Sequence, residues 1–337
     1  MKDKSAFKKF LEIRGMGASL TAFIGLIIIY IAFGLINEKV FSGQNILNLL
    51  RSMSKYLLIG VGQSYVMITG NIDLSLGSLV GMSAMMVSTL MVGGVNPVAA
   101  ILITLVCGVI IGILNGFLVG RFKLPPFIAT LGTMFVARGI AYMVNNNRNT
   151  DNIGSRIGKG PADAFQQFFY YGKTFGVYNT FWIAVVLFIL FFFLLSKTRS
   201  GRHIYAIGSN VEAAKLSGVN VFMTTVKAYV ISSICAVVVG FFLSAQAGMG
   251  NMEAGNMYEM YGVAAGVIGG VSPLGGSGLL LGTFAGAAVW QTLENGLNMI
   301  GAQVGIQRIV IGVIVVLAVL VDVVIRSGKK IKKIKKA

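Results

Sequence analysis

The sequence predicts an all-α integral membrane protein. Hydrophobic residues make up 55% of its 337 positions and charged residues only 12%, and the mean hydropathy is +0.81. Soluble domains carry roughly 25% charged residues, about twice this share. The apolar residues are also grouped into long runs, and a helix needs roughly 20 such residues to cross a bilayer.

Ten apolar runs are candidate transmembrane helices: 18–36, 46–68, 76–93, 98–120, 127–144, 180–196, 226–246, 261–271, 278–299 and 306–325. The eighth run is too short to cross alone, so we expect about ten helices, one of them short or broken. Five runs lie on each side of the long polar segment 145–179. An odd number of spans in each half favours an inverted 5+5 arrangement, which is common in transporters. The 44 glycines suit close packing of helices in lipid.

Basic residues predict the orientation of the chain. The N-terminal segment 1–17 carries five Lys or Arg, and the tail 326–337 carries seven. With an even number of spans, the positive-inside rule places both segments in the cytoplasm. The same parity makes 145–179 an external loop and 197–227 a cytoplasmic one. We expect a single transmembrane domain over 1–337.

The net charge of +17 would suggest a nucleic-acid partner for a soluble protein. Here much of the positive charge lies in terminal and loop segments, so contact with membrane lipid and orientation explain it, and no nucleic acid is expected. Cys107 and Cys235 each lie in an apolar run without ligand-like neighbours, so we expect neither a disulfide nor a metal site. The run 18–36 is too long for the core of a signal peptide and is predicted as the first span.

A short helix is predicted within the basic interruption that runs from 197 to 221. Its characteristic residues are Asn210, Glu212, Ala213, Ala214 and Gly218. Asn210 fits the N-cap because its side chain can accept a hydrogen bond from a free amide of the first turn. Glu212 in the first turn suits the helix dipole, and Gly218 fits a C-terminal stop. Composition alone favours nothing more than a solvated loop.

Three motifs resemble a known family. Glu212-Ala213-Ala214, followed by Gly218, resembles the EAA-three-residues-G signature of bacterial ABC importer permeases, and 201–221 resembles their ribose/galactoside branch. GNIDLSLGS at 70–78 and PPFIATLGT at 125–133 resemble two further segments of that family. The resemblance covers most of the chain. The Ile-x-Leu-Pro tail that follows the signature in other importer classes is absent.

The resemblance implies a permease subunit in the cytoplasmic (inner) membrane. It implies that residues 197–227, here called the coupling segment, dock in a groove of a separate ATPase that holds the ATP and Mg. We expect the side chains of Ala213 and Ala214 to lie on the surface that contacts the ATPase. This chain is then expected to be no enzyme and to carry no cofactor, and neither 154–160 nor 167–174 completes a phosphate-loop pattern. An external sugar-binding protein and a second permease subunit, most simply an identical copy, are the other implied partners. The implied cargo is a monosaccharide of the ribose, galactose, xylose or arabinose class.

A sugar pathway needs neutral hydrogen-bonding groups and aromatic side chains. Eight residues are candidates: Gln63, Asn71, Asn115, Phe127, Thr130, Gln291, Asn295 and Asn298. Each polar one could instead serve packing between helices. Five charged residues within the spans fall toward the outer face, where snorkelling, or a charged rim for the binding protein, would explain them: Arg51, Lys55, Arg138, Glu294 and Arg308.

Two other functions remain open. The first is an ABC permease for nucleosides or another small polar solute. The second is an ion-coupled secondary sugar transporter, which would need an acid or a histidine at mid-membrane, and Asp73 is the candidate. The glycine-rich segments 68–78 and 268–278 could be broken helices or tight cytoplasmic turns.

Overall fold

The computed structural model describes residues 16–310, 312–314, 316–317 and 320, and this part of the chain is mainly helical. The helices are α1 (Met16–Ile36), α2 (Gly43–Ile68), α3 (Leu76–Val92), α4 (Pro97–Gly120), α5 (Pro126–Met143), α6 (Gly154–Ile157), α7 (Lys159–Gln166), α8 (Asn179–Lys197), α9 (Arg199–Ser209), α10 (Val211–Leu216), α11 (Val221–Ala247), α12 (Tyr258–Ile268) and α13 (Leu280–Met299). A further helix, α14, begins at Val304. A 3₁₀ turn spans Glu38–Phe41, a π turn spans Gln167–Tyr171, and the two-residue strands Lys173–Thr174 and Val177–Tyr178 pair antiparallel. The basic tail 326–337 and residues 1–15 lie outside the described residues.

Five helices of the described residues are long and apolar enough to cross a membrane: α1, α4, α5, α8 and α11. In α11 72% of the apolar window is buried inside the protein, against 17–28% in the other four. The helix α11 therefore lies at the centre, while the other four present apolar faces outward. An all-α membrane fold agrees with the sequence analysis. The total of ten crossings and the inverted arrangement stay predictions.

Glycines allow helices to approach α11 closely. A Cβ at Gly116 of α4 would overlap the backbone of Val226, and one at Gly240 of α11 would lie 2.7 Å from the Val80 carbonyl oxygen of α3. Because backbones meet at these points, a larger residue would force the helices apart. The glycine content thus serves close helix packing, as predicted.

The first helix packs against the far end of the chain. Asn37, just after α1, donates a hydrogen bond from its side-chain amide to the carbonyl of Met299, 2.9 Å away. A Cβ at Gly296 of α13 would overlap the ring of Phe33. The two helices α1 and α13 are therefore neighbours, although they are separated by nearly the whole sequence.

Between α11 and α12 the chain is not helical, although Gly248, Gly250 and Gly255 are buried. Gly248 ends α11 in a left-handed conformation with φ +67°. A Cβ at Gly250 would lie 3.0 Å from Met85, and one at Gly255 would meet Val80 at 2.7 Å, so the segment runs along α3 toward the beginning of that helix. Only then does α12 begin, and it has 11 residues. The short eighth span of the sequence analysis is thus the short helix α12, preceded by non-helical backbone.

Arg138 of α5 supplies hydrogen bonds to this irregular backbone. Its guanidinium donates to the carbonyls of Met252 and Ala254, at 2.7 and 3.0 Å. Non-helical backbone within a membrane protein requires such partners, because lipid offers none. This contact gives Arg138 a structural role that snorkelling does not describe.

The predicted external loop 145–179 is largely structured. It contains α6, α7, the π turn and the small hairpin. Two backbone hydrogen bonds connect the loop to the end of α11 and the segment after it. The Ile153 amide donates to the carbonyl of Gly248 and the Thr150 amide to the carbonyl of Gly250, both at 3.0 Å. Arg51 of α2 lies over the rings of Tyr170 and Tyr178, 4.6 and 4.1 Å from their centroids. The segment therefore forms a fixed cover over one end of the helix bundle.

Candidate functional site

The predicted short helix in the coupling segment is present as α10. The Asn210 side chain accepts a hydrogen bond from the amide of Ala213 at 2.9 Å, which makes Asn210 the N-cap. Gly218 follows the helix with φ +81°, a conformation that favours glycine. The Gly218 amide donates a hydrogen bond to the carbonyl of Lys215, and the Val219 amide donates to the carbonyl of Ala214, both at 3.0 Å. Both ends of the helix are therefore as the sequence predicted.

The two alanines of α10 have different surroundings. Ala213 is exposed, whereas Ala214 is 4% exposed and packs within its own chain. The sequence analysis placed both side chains on the surface that contacts the ATPase, and for Ala214 this expectation is corrected. The physical reason is that α10 lies against α9 and the beginning of α11, which cover one of its sides. Glu212 and Leu216 remain exposed beside Ala213, and Leu216 is 89% exposed.

The helix α9 was missed by the sequence analysis, which treated 197–209 as part of a basic loop. Thr198 caps this helix by accepting a hydrogen bond from the Gly201 amide at 3.3 Å. Its buried residues are Gly201, Ile204 and Ile207. Their spacing of three is a helical period, and together with the Thr cap it is the signal that could have found α9.

The end of α9 is locked to the two glycine-rich segments. The amide of Gly276 donates to the carbonyl of Ile68 at 2.9 Å. A Cβ at Gly208 would overlap the same carbonyl oxygen, and one at Gly275 would lie 2.8 Å from Gly70. Residues 69–75 and 269–279 are therefore turns that meet beside the coupling segment.

Asp73 is the hub of a buried polar network. It is 1% exposed, and its carboxylate accepts hydrogen bonds from the amide and hydroxyl of Ser75, at 2.9 and 2.6 Å, and from the hydroxyl of Ser232, at 2.7 Å. The Ser75 hydroxyl accepts from Asn115 at 2.9 Å, and Asn115 accepts from Thr133 at 2.6 Å. This chain of bonds joins the 69–75 turn to α11, α4 and α5. It places Asn115, a predicted pathway residue, in helix packing.

For four other predicted pathway residues the described part of the structure shows contacts within the protein or an exposed position, and no feature of a binding site. Thr130 donates to the carbonyl of Pro126 one turn earlier, at 2.8 Å, and Asn71 donates to the Thr69 hydroxyl at 2.8 Å. Asn295 exchanges two amide hydrogen bonds with Asn45 of α2, at 2.9 and 3.1 Å. Phe127 lies on α5 with 55% of its surface exposed. None of these contacts points to a ligand.

The remaining three candidates differ from these. Gln63 is fully buried, and within the described residues neither atom of its amide has a hydrogen-bond partner. Gln291 likewise has a buried amide oxygen without a partner there. Asn298 lines a cavity of about 630 Å³ between α12, α13 and the beginning of α14.

This cavity contains one predicted pathway residue, Asn298. Its walls include two aromatic and two charged side chains: Tyr261, Trp290, Glu294 and Arg308. Glu294 accepts a hydrogen bond from the Tyr56 hydroxyl at 2.7 Å, and Arg308 donates to the Tyr261 hydroxyl. The sequence analysis assigned both charges only to the outer face. The spacing of 290, 294 and 298 places these residues on one face of a helix, and this signal could have found the cavity wall.

A bundle of apolar helices with a capped helix exposed at one end fits the membrane-spanning subunit of a transport system. The chain belongs to the family described as branched-chain amino acid transport system / permease component, whose model matches residues 45–319. No solved structure matches the chain.

Several curated relatives match over most of their length. The chain is 35% identical over 315 residues to the ribose import permease protein of Bacillus subtilis, which covers 94% of this chain and 96% of that protein. It is 32% identical to the D-allose transport system permease protein of Escherichia coli, over 90% of each chain. The fructose import permease protein of Rhizobium meliloti is 30% identical over 96% of this chain and 91% of its own. The predicted membership in the monosaccharide branch of ABC importer permeases is confirmed.

Proposed function

We propose that this chain moves a five- or six-carbon monosaccharide across the cytoplasmic membrane, and that the ATPase driving it docks on the exposed side of α10. The relatives named for ribose, D-allose and fructose support the substrate class, because the likeness extends over nearly the whole chain. The observation that carries the proposal is the exposed, capped α10 seated on α9 at one end of the bundle.

The exposed side of α10 suits a protein partner. Glu212, Ala213 and Leu216 are exposed, and the small side chain of Ala213 permits close approach. Leu274, from the turn locked to α9, is 86% exposed. A partner that docks on α10 would also bury Leu216 and Leu274, which lie at the same end of the protein. Contacts along the α9–α10 unit would then carry movements of the ATPase to the helix bundle.

The remaining partners follow from the same arrangement. With α10 in the cytoplasm, the structured cover at 145–179 faces outward and is the surface offered to a sugar-binding protein. A second, identical permease subunit completes the pathway. Both termini then lie in the cytoplasm. ATP and Mg belong to the ATPase, so this chain acts as a transport subunit without a nucleotide site of its own.

Two alternative functions, a nucleoside permease and an ion-coupled carrier, make different predictions for uptake. A nucleoside permease would differ only in cargo. An ion-coupled carrier would need a titrating group in the path, but Asp73 is held by three hydrogen-bond donors within a packing network.

Reconstitution in proteoliposomes tests the proposal. The permease, its ATPase and its binding protein are co-reconstituted, and uptake of radiolabelled ribose is measured with competing xylose, galactose, allose, fructose or uridine. We expect uptake that needs ATP and is reduced by at least one other monosaccharide. Competition by uridine alone would indicate a nucleoside permease. Uptake by the permease without its ATPase, driven by a proton or sodium gradient, would contradict the proposal.

A further inference from the structure

We propose that five residues lining the cavity between α12, α13 and α14 bind the monosaccharide during transport. These residues, here called the sugar cage, are Tyr261, Trp290, Glu294, Asn298 and Arg308. The inference rests on the proposed function and adds the place where the sugar is held. It assigns to two charges and two aromatic rings a role that sequence analysis did not give them.

The aromatic side chains of the cage are held in fixed positions. The ring centroids of Tyr261 and Trp290 are 5.0 Å apart, and Tyr56 and Tyr258 lie directly beside them at 5.5 to 6.2 Å. Such clusters resist rearrangement because each ring is packed by the next. A sugar ring presents C–H groups on one face, and this apolar face suits contact with an aromatic wall.

The polar groups of the cage complement sugar hydroxyls. Glu294 accepts one hydrogen bond from Tyr56, while an ionised carboxylate offers roughly four lone-pair sites. Arg308 donates to Tyr261, while a guanidinium has about five N–H donors. Asn298 accepts from Gln307 at 2.9 Å, which fixes the orientation of its amide. Acceptors and donors thus stand on the same walls as the rings, and a polyhydroxylated ligand needs both.

The position of the cavity also supports binding. Ligand sites typically occupy roughly 300 to 1,000 Å³, with apolar walls and a few polar groups, and this cavity of about 630 Å³ agrees with both features. One wall is α12, a short helix that follows non-helical backbone, and helices interrupted in this way form substrate sites in many transporters. Burying a charged side chain within a membrane domain costs free energy, and such residues usually serve a function.

Substitutions in the cage provide the first test, in the complete complex with ATPase and binding protein. We expect Trp290→Ala and Glu294→Ala to lower ribose uptake at least tenfold, while the ATPase still co-purifies and the two-subunit state persists. The matched variant Trp290→Phe keeps an aromatic face and should retain more than half of the uptake. Wild-type uptake by both alanine variants would overturn the proposal. So would loss of the second subunit, because the cavity would then be a contact between copies.

Protection from a thiol reagent provides a second test that does not depend on transport by a weakened variant. Asn298→Cys places a thiol at an exposed wall position, and Asp151→Cys is the control in the outer cover. The native Cys107 and Cys235 give the background. We expect 50 mM D-ribose to slow labelling of Asn298→Cys by a polar maleimide at least threefold, with no effect on Asp151→Cys. Equal rates with and without ribose would refute the cage.

Failure of the cage is distinguishable from failure of the proposed function. If the wild-type complex transports no monosaccharide at all, the proposed function is wrong, and the cage, which depends on it, is wrong too. If the wild-type complex transports ribose but the cage variants behave as the wild type does, only the cage is wrong.

Discussion

Ala213 and Ala214 are adjacent, yet only one of them faces away from the protein. A bulky residue at Ala213 would enter the proposed contact with the ATPase, where overpacking costs typically 1–3 kcal/mol. We expect Ala213→Trp to lower occupancy of the complex on the order of tenfold, because each 1.4 kcal/mol is about tenfold. The permease itself should remain as stable as the wild type.

The measurement is co-purification of the ATPase with membrane-inserted permease, together with thermal unfolding in detergent. Ala214→Trp is the matched comparison, and it should lower the unfolding temperature because its side chain is buried. If Ala213→Trp permease retains wild-type co-purification and wild-type sugar uptake, docking at α10 is wrong.

Gly218 combines a left-handed conformation with open space. At φ +81° nothing lies within 4 Å of the position that a Cβ would take, so strain rather than collision decides the outcome there. We expect Gly218→Asp to lose ATPase co-purification, since it adds backbone strain and a carboxylate that opposes the helix dipole. Gly218→Asn should be milder, because Asn adopts this conformation about as readily as Asp does but carries no charge. Equal behaviour of the two variants in the co-purification assay would refute this account.

Substitutions of Asp73 distinguish a packing role of this residue from a role in ion coupling. Asp73→Asn keeps an acceptor for Ser75 and gives Ser232 a donor, so we expect at least half of the wild-type uptake in proteoliposomes. Asp73→Ala leaves several buried groups without partners, each costing about 1–3 kcal/mol, and should lower the unfolding temperature sharply. Complete loss of uptake in a stable Asp73→Asn permease would instead favour a titrating role.

At the scale of elements, α9 is held by contacts that leave no room for a side chain. A Cβ at Gly208 would overlap the carbonyl oxygen of Ile68, and backbone cannot move aside as a flexible side chain can. We expect Gly208→Ala to displace α9 and with it α10, so that ATPase binding and thermal stability both fall. Gly132→Ala is the control, since nothing lies within 4 Å of a Cβ at Gly132.

Melting curves and ATPase co-purification measure this prediction. The control should be neutral or slightly stabilising, because alanine favours a helix more than glycine does, by about 1 kcal/mol. A Gly208→Ala permease with wild-type values in both assays would show that the contact between α9 and Ile68 is dispensable.

Elements determined by nearby residues could be predicted from the sequence, whereas elements that depend on distant partners could not. The two ends of α10 could be predicted from sequence, because the Asn210 cap and the Gly218 stop act within a few residues. The apolar helices could be predicted from composition and length. The broken segment before α12 could not, because its backbone depends on hydrogen bonds from Arg138, more than 100 residues earlier. The outer cover was taken as a loop for the same reason, since its partners at Gly248 and Gly250 are distant in sequence.

The candidate sites divide in the same way. Residue type marked Asn115 and Asn295 as pathway residues, but the structure gives their amides to helix packing. The spacing of Trp290, Glu294 and Asn298 puts them on one face of α13. That face borders a cavity only because α13 packs beside α12, and single-sequence patterns do not specify that pairing. The amide of Asn298 makes it a pathway candidate by residue type, whereas the charge of Glu294 favours a position near the membrane interface.

For the whole molecule, orientation is the property to measure. The basic ends and the predicted even number of spans lead us to expect both termini in the cytoplasm. We expect an alkaline phosphatase fusion after residue 160 to be active, because the enzyme folds only outside, and a fusion after residue 337 to be inactive. The reverse pattern would invert the protein and remove α10 from reach of a cytoplasmic ATPase.

The pairing of α1 with α13 has a consequence for biosynthesis. Asn37 and its partner Met299 are 262 residues apart. At a synthesis rate of about 5–20 residues per second, α1 waits roughly 13 to 50 s before α13 exists. During that interval the face of α1 that later meets α13 is open to lipid or to an insertion factor. A ribosome stalled between these two helices should therefore leave α1 accessible to crosslinking by lipid analogues, and release of the full chain should end that access.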